Sequence, residues 1–271
     1  MMVSTMLLKE KKGDNRFWIF IQSDKPLARL IRTVLAIAFW IAVWLIVASL
    51  ANRNLLLKIP LPGEVLTTLF DDLKLQEFWK AVGTSVLHIV IGYICALAVG
   101  FAGGMISGIS GWFRSFSMPL MHMIRAIPVA AFVILAWLWV PNSVLPSVIA
   151  FLMVLPIVWG HVDAALLAID NHFIDLSKMD GANRIQTAFF VQLPMIHDPL
   201  RTGCLNGFGI AWKAGVAAEV ICNPTGTIGS LLQKAKTGID YPQVFAVTVA
   251  IVLVSVALEQ LLRLIWRPVL T

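Results

Sequence analysis

The sequence predicts an all-α polytopic membrane protein of about six transmembrane helices, and three observations predict it. Hydrophobic residues make up 59% of the chain and charged residues 13%, with a mean hydropathy of +0.84, whereas an ordinary soluble domain has about 25% charged residues. Apolar blocks recur that approach or exceed the roughly 20 residues a helix needs to cross a hydrocarbon core. Lysine and arginine gather mostly at the ends of those blocks, where they orient helices. The net charge of +6 therefore reads as a topological signal and not as a nucleic-acid footprint. No polar stretch approaches the roughly 50 residues of the smallest soluble domains. The expected organisation is a cytoplasmic N-terminal segment, residues 1–29, followed by one transmembrane domain over residues 30–271.

The N-terminal segment carries charges throughout and no small-residue cleavage site behind an apolar core, unlike a cleaved signal peptide; a short interfacial segment is expected around Phe17 to Ile21. The first span is Leu30 to Leu50. Pro60, Pro62 and Gly63 then break the backbone before an amphipathic turn at Val65 to Leu73, an outer loop with an interfacial helix. The second span, Val82 to Ile109, contains Gly83, Gly92, Gly100, Gly103, Gly104 and Gly108, small residues that let helices approach closely. A polar turn leads to a third span, Pro119 to Val140, with Arg125 and Pro128 near its start. The fourth, Val144 to Gly160, has Pro146 in its first turn, where the missing N–H is harmless. After a polar stretch over residues 161–202 come the fifth span, Gly203 to Ile221, and the sixth, Val244 to Ile265.

With the N-terminus inside, thirteen lysines and arginines fall on inner segments and six on outer ones. This excess puts both termini and the 161–202 loop in the cytoplasm. The three cysteines, Cys95, Cys204 and Cys222, stand apart in apolar surroundings and read as packing residues. His88 lacks a second ligand at metal spacing and reads as a hydrogen-bonded core histidine.

The long inner loop has its own design. Phe173, Leu176 and Met179 fall on one stripe of a short helix that Asn171 is placed to cap. Gly181 stands where a left-handed residue would stop that helix. Asn183 and Gln186 have the spacing of a capping pair for a second helix, Arg184 to Leu193, which Pro194 ends or kinks. Helix connections usually take 2–8 residues, and a long structured one is more often functional.

From Gly181, nine residues lead to Val191-Gln192-Leu193-Pro194, and Asp175-Leu176-Ser177 stands three residues before the glycine. This resembles the cytoplasmic signature of the permease subunits of binding-protein-dependent ABC importers: E-A-A, three residues, Gly, nine residues, Ile, one residue, L-P. Only the acidic character of E-A-A is kept. Arg125-Ala126-Ile127-Pro128-Val129-Ala130-Ala131 resembles the R-x-x-P-x-x-A segment of the nitrate, sulfonate and taurine group, and Trp212 to Glu219 resembles its W-x-x-x-V-A-A-E. The resemblance covers most of the chain from Leu30 onward. It implies a type I ABC importer permease fold in a bacterial inner membrane and an ATPase-coupling loop of Asp175, Leu176, Ser177, Lys178, Met179, Asp180, Gly181, Ala182, Val191, Leu193 and Pro194. It also implies three partners: a cytoplasmic ABC ATPase dimer, an extracytoplasmic substrate-binding protein, and a second permease copy, giving a homodimer or a heterodimer with a related permease. Cargo in this group includes nitrate, bicarbonate, taurine, alkanesulfonates and some vitamin precursors. The chain has no G-x-x-x-x-G-K-[ST], so no cofactor is expected on it and ATP with Mg belongs to the ATPase partner.

Charges inside a span usually face a cavity or the bundle interior, which makes Lys213 and Glu219 pathway candidates together with Arg125, Pro128 and Trp212. Six residues apart, Lys213 and Glu219 lie about 9 Å along a helix and on different faces, so each needs its own partner, or snorkels to an interface. Arg125 is equally suited to lipid phosphate or to the loop. The Trp residues read mostly as interfacial anchors or packing, and nothing in the sequence supports the alternative of Trp137 or Trp139 stacking on cargo. A membrane phosphotransferase is a poor alternative: the Asp180-Gly181 stretch lacks the downstream paired carboxylates that hold a metal. An ion-coupled secondary transporter would be expected to show internal repeats, and no convincing one is found.

Overall fold

The structure, a computed structural model, describes residues 26–53 and 58–266; the interfacial segment expected around Phe17 lies outside them. Two units divide at Thr67. In the first, α1 (Pro26–Ala51) is a 26-residue helix with its apolar side chains, Trp40 and Phe39 among them, largely exposed. Asn52 is tied to Ile59, its amide donating to the Ile59 carbonyl at 3.1 Å and accepting from the Ile59 N–H at 3.0 Å. The short helix α2 (Pro62–Lys74) follows, its start braced by Glu64 accepting from the Leu61 N–H.

The second unit is built on α3 (Gln76–Ile109), α6 (Leu145–Leu167) and α10 (His197–Cys222), with α6 packed against both of the others. The approach of α3 to α6 depends on glycine. A Cβ at Gly92 would lie 2.0 Å from the Ser147 carbonyl oxygen, and one at Gly103 would lie 2.0 Å from the Trp159 ring. Gly83, by contrast, faces open space. A core of Val133, Leu145, Ile149, Met153, Ala214, Ala218 and Cys222 joins α6 and α10 to α5 (Val129–Trp137).

One expectation needs correction. The third span is not continuous: α4 (Gly111–Ala126) and α5 meet at a 100° bend. Pro128 biases the preceding residue away from the helical region, and Ile127 is extended at φ −79° and ψ 126°. Length and composition alone pick out fewer than the expected six spans. Among the described residues four helices are long and apolar enough to cross a membrane, or five if the bent pair counts as one. The expected fifth span lies in α10, which is long enough but carries Asp198, Arg201, Lys213 and Glu219; twelve of its 26 residues are buried, so protein and not lipid surrounds much of it.

The helices α11 (Ile228–Thr237) and α12 (Tyr241–Ile265) complete the unit. Asp72 of α2 accepts from the Gln243 side chain at 2.7 Å. Burial raises the Asp72 carboxyl above its usual range, although this hydrogen bond pulls the other way. Its neutral form therefore favours the fold, and its contribution is lost as pH rises through the raised value.

Gly103→Val should place a branched side chain against the Trp159 ring and cost about 1–3 kcal/mol as overpacking, read as a lower thermal midpoint in detergent. Gly83→Ala should leave that midpoint unchanged or raise it, by about 0.5–1 kcal/mol.

Candidate functional site

The loop between α6 and α10 is a folded helix-bend-helix. The helix α6 continues to Leu167, seven residues past its expected end at Gly160, because Asp163 is buried in a polar node and does not face solvent: its carboxylate accepts from Ser107 at 2.6 Å and from Arg114 Nε at 3.0 Å. The helix α7 (Asn171–Met179) is capped by Asp170 and not by Asn171: the Asp170 side chain accepts from the His172 N–H at 2.9 Å. At its other end Gly181 takes φ +80°. The Gly181 N–H bonds to the Lys178 carbonyl and the Ala182 N–H to the Ser177 carbonyl, both at 3.0 Å. This paired pattern is the Schellman stop, and it depends on a residue that tolerates the left-handed region.

The helix α8 (Arg184–Thr187) begins with the expected reciprocal cap, Asn183 and Gln186 exchanging two hydrogen bonds at 2.8 Å. It does not run on as one regular helix to Leu193. A π turn, Ala188–Gln192, widens it before α9 (Leu193–Met195). The cause is Pro194, which has no N–H to give to the carbonyl four residues back and clashes with it; π turns of this kind occur often at functional sites.

Ser177, where the family signature has alanine, shares a buried 2.9 Å hydrogen bond with Thr187 across the bend. Asp175 pairs with Lys178 at 2.9 Å on the surface. Leu176 and Phe173 are about half exposed, while Met179, Phe189 and Phe190 are 83%, 63% and 79% exposed. Val191 and Leu193 are half-buried, and Asp180 and Pro194 are exposed. The bend thus presents an apolar surface of a kind that marks an interaction site.

The residues singled out within the membrane part separate into three places. Arg125 and Pro128 belong to the α4–α5 bend, where the Arg125 guanidinium donates to the Pro156 carbonyl and sits over Gly160. Glu219 is fully buried. One of its oxygens accepts from Ser85 at 2.8 Å and from the Gly229 N–H at 3.0 Å, while Ser85 accepts from the Ile228 N–H at 2.9 Å. Its carboxylate thereby caps α11, whose first N–H groups have no partner within their own helix. Trp212 and Lys213 border a cavity of about 660 Å³ between α10 and α12. Trp212 is itself buried and donates to the Ile251 carbonyl at 3.2 Å, whereas Lys213 is exposed.

His88 differs from expectation: its Nδ1 is buried and has no hydrogen-bond partner among the described residues. Trp137 bonds to the Asn142 side chain. Sequence reasoning missed Ser85, Asp163 and Glu259; the signal for Glu259 was its position as a carboxylate inside the last apolar block.

The family of binding-protein-dependent transport system inner membrane components matches residues 88–269. The chain belongs to that family. It is an ABC importer permease, a multi-pass membrane subunit, and the Asp175 to Pro194 loop, Arg125 and the 212–219 segment all fall within the matched region. The chain is 26% identical to the taurine transport system permease protein TauC of Escherichia coli (strain K12), over 97% of this chain and 96% of that one. It is 28% identical to the nitrate import permease protein NrtB of Synechocystis sp. (strain ATCC 27184 / PCC 6803 / Kazusa), over 82% of each. Its fold is similar to a solved chain of a bacterial ABC transporter involved in import of the acidic polysaccharide alginate, with a TM-score of 0.55 and 15% identity, covering 93% of this chain and 100% of that one.

Removing the α11 cap by Glu219→Ala should leave the Ser85 hydroxyl and the Gly229 N–H without their partner and cost about 1–3 kcal/mol. Faster amide exchange at Ile228 and Gly229 would report it. Lys213→Ala, on an exposed side chain, should shift stability by no more than about 0.5 kcal/mol.

Proposed function

We propose that this permease pairs with a second copy to form the membrane pathway for a small organic or inorganic anion, such as a sulfonate, taurine, nitrate or bicarbonate, or for a vitamin precursor. An extracytoplasmic binding protein delivers the solute, and two cytoplasmic ABC ATPases that hold ATP and Mg supply the energy. The chain lies in a bacterial inner membrane with both termini and the loop inside, and it is not itself an enzyme. The observation that carries this reading is the bend at Gly181, a rigid stop flanked by exposed Met179, Phe189 and Phe190.

Alternating access follows from such a surface. Two ATPases closing on ATP draw the paired loops together, the helices anchored to them turn the cavity outward, and hydrolysis resets the pair. The lack of a phosphate-binding G-x-x-x-x-G-K-[ST] in the sequence favours an external source of energy, and the taurine and nitrate relatives favour small anionic cargo. An ion-coupled transporter would have no need of a structured apolar bend on an inner loop.

Gly181→Val meets no neighbouring atom, so its effect is confined to backbone strain, about 1–2 kcal/mol for an L-residue held in the left-handed region. Membrane insertion and overall folding should persist while ATP hydrolysis in the assembled importer no longer drives uptake. Normal coupled uptake in this variant would count against the coupling role, and uptake that follows an ion gradient with the ATPase disabled would replace the importer reading altogether.

A further inference from the structure

A polar cleft of about 160 Å³ lies between α10 and α12, with Asn206, Lys213, Glu259 and Arg263 among its lining residues. Asn206 and Lys213 stand seven residues apart on one face of α10, and Glu259 and Arg263 four apart on one face of α12. Asn206, Lys213 and Arg263 are exposed and Glu259 is half-buried. Among the described residues none of these four side chains has a hydrogen bond or ion pair. Gly209 makes the room: a Cβ there would come 3.1 Å from a Glu259 carboxylate oxygen, so the acid lies directly against the α10 backbone. Among the described residues Lys213 and Glu259 are also the only charged ones lining the larger apolar cavity of about 660 Å³. They stand where the two spaces adjoin.

Charges without partners inside a membrane domain mark substrate pathways. Two cations facing one carboxylate repel a simple cation. The carboxylate in turn penalises an anion that brings no donor to it, so the cleft is built to reject as well as to attract. A small solute carrying an anionic group beside an ammonium group presents the inverse of this pattern and satisfies all three charges with charge-assisted hydrogen bonds. The cleft has the volume of about five water molecules, which limits such a solute to fewer than about ten heavy atoms.

We propose that Lys213, Arg263, Asn206 and Glu259 form an intramembrane solute site selective for a small zwitterion, Lys213 and Arg263 holding the anionic group and Glu259 the ammonium. The inference rests on the reading of the chain as a pathway subunit. Its test is equilibrium binding of 2-aminoethanesulfonate and of ethanesulfonate, by saturation-transfer NMR, to the assembled permease–ATPase complex in nanodiscs without binding protein. The wild type should prefer the amino compound by about tenfold or more, the worth of one charge-assisted hydrogen bond. Glu259→Gln should abolish the preference, and Lys213→Met should weaken both compounds. Equal binding of the two compounds, binding of neither, or a preference that survives Glu259→Gln would overturn the site. So would dissociation of paired permeases in Lys213→Met or Glu259→Gln by native mass spectrometry, which would make the cleft a subunit contact. ATP-driven uptake by the same wild-type complex in sealed proteoliposomes with its binding protein tests the pathway reading separately: its presence with no zwitterion bound removes only the cleft assignment.

Discussion

The close approach of α3 to α6 is the constraint on which the rest of the second unit depends. Lipid offers no water to satisfy stray polar groups and little hydrophobic force to draw helices together, so the pair must fit by shape. Gly92 and Gly103 provide that shape by leaving no side chain between backbone and Ser147 or Trp159. Once the two helices are set, α10 packs on α6, and polar groups lock three elements together in two places. Asp163 ties α6 to Ser107 of α3 and Arg114 of α4, close to the loop. Glu219 ties α10 to Ser85 of α3 and to the start of α11, near the far end of α10. Both carboxylates are buried and hydrogen-bonded, and removing a partner from such groups costs more than the bond itself contributes.

This arrangement gives the loop something rigid to act on. Its two ends are α6 and α10, which pack against each other, so under the proposed coupling role a displacement of the bend would reach them as a movement of whole helices and would not be absorbed by a slack connection. The bend is itself stiff, since Gly181 stops α7, the Asn183–Gln186 pair starts α8, and the Ser177–Thr187 hydrogen bond ties the two across the turn. Where the family signature has alanine, serine brings a polar group into a buried position, and Thr187 satisfies it.

Where a local rule has one dominant cause, the sequence was sufficient. Glycine at the end of an amphipathic helix, an Asn-x-x-Gln cap and a proline at a bend each act within a few residues, and Gly181, Asn183 and Pro128 behave accordingly, though the Pro128 break is sharper than a continuous span allows. Composition was likewise enough for an all-helical membrane chain. What escaped were features decided by distant residues. The extension of α6 to Leu167 depends on Asp163 meeting Ser107, 56 residues away. The role of Glu219 depends on Ser85, 134 residues away, and no spacing rule joins them. Hydropathy could not distinguish α10, sheltered by protein, from a helix facing lipid. Glu259 gained meaning only when α12 came to lie beside Gly209 and Lys213.

The central claim is that the bend around Gly181 is where the energy-supplying subunit acts, and contact measures it most directly. A photo-crosslinking amino acid in place of Met179, the most exposed apolar residue on the bend at 83%, should on illumination of native membranes join this chain to an ABC ATPase, with a yield that changes when ATP is added. Crosslinks to lipid alone, or an ATPase adduct formed equally well from the exposed Trp112 on α4, would contradict the account.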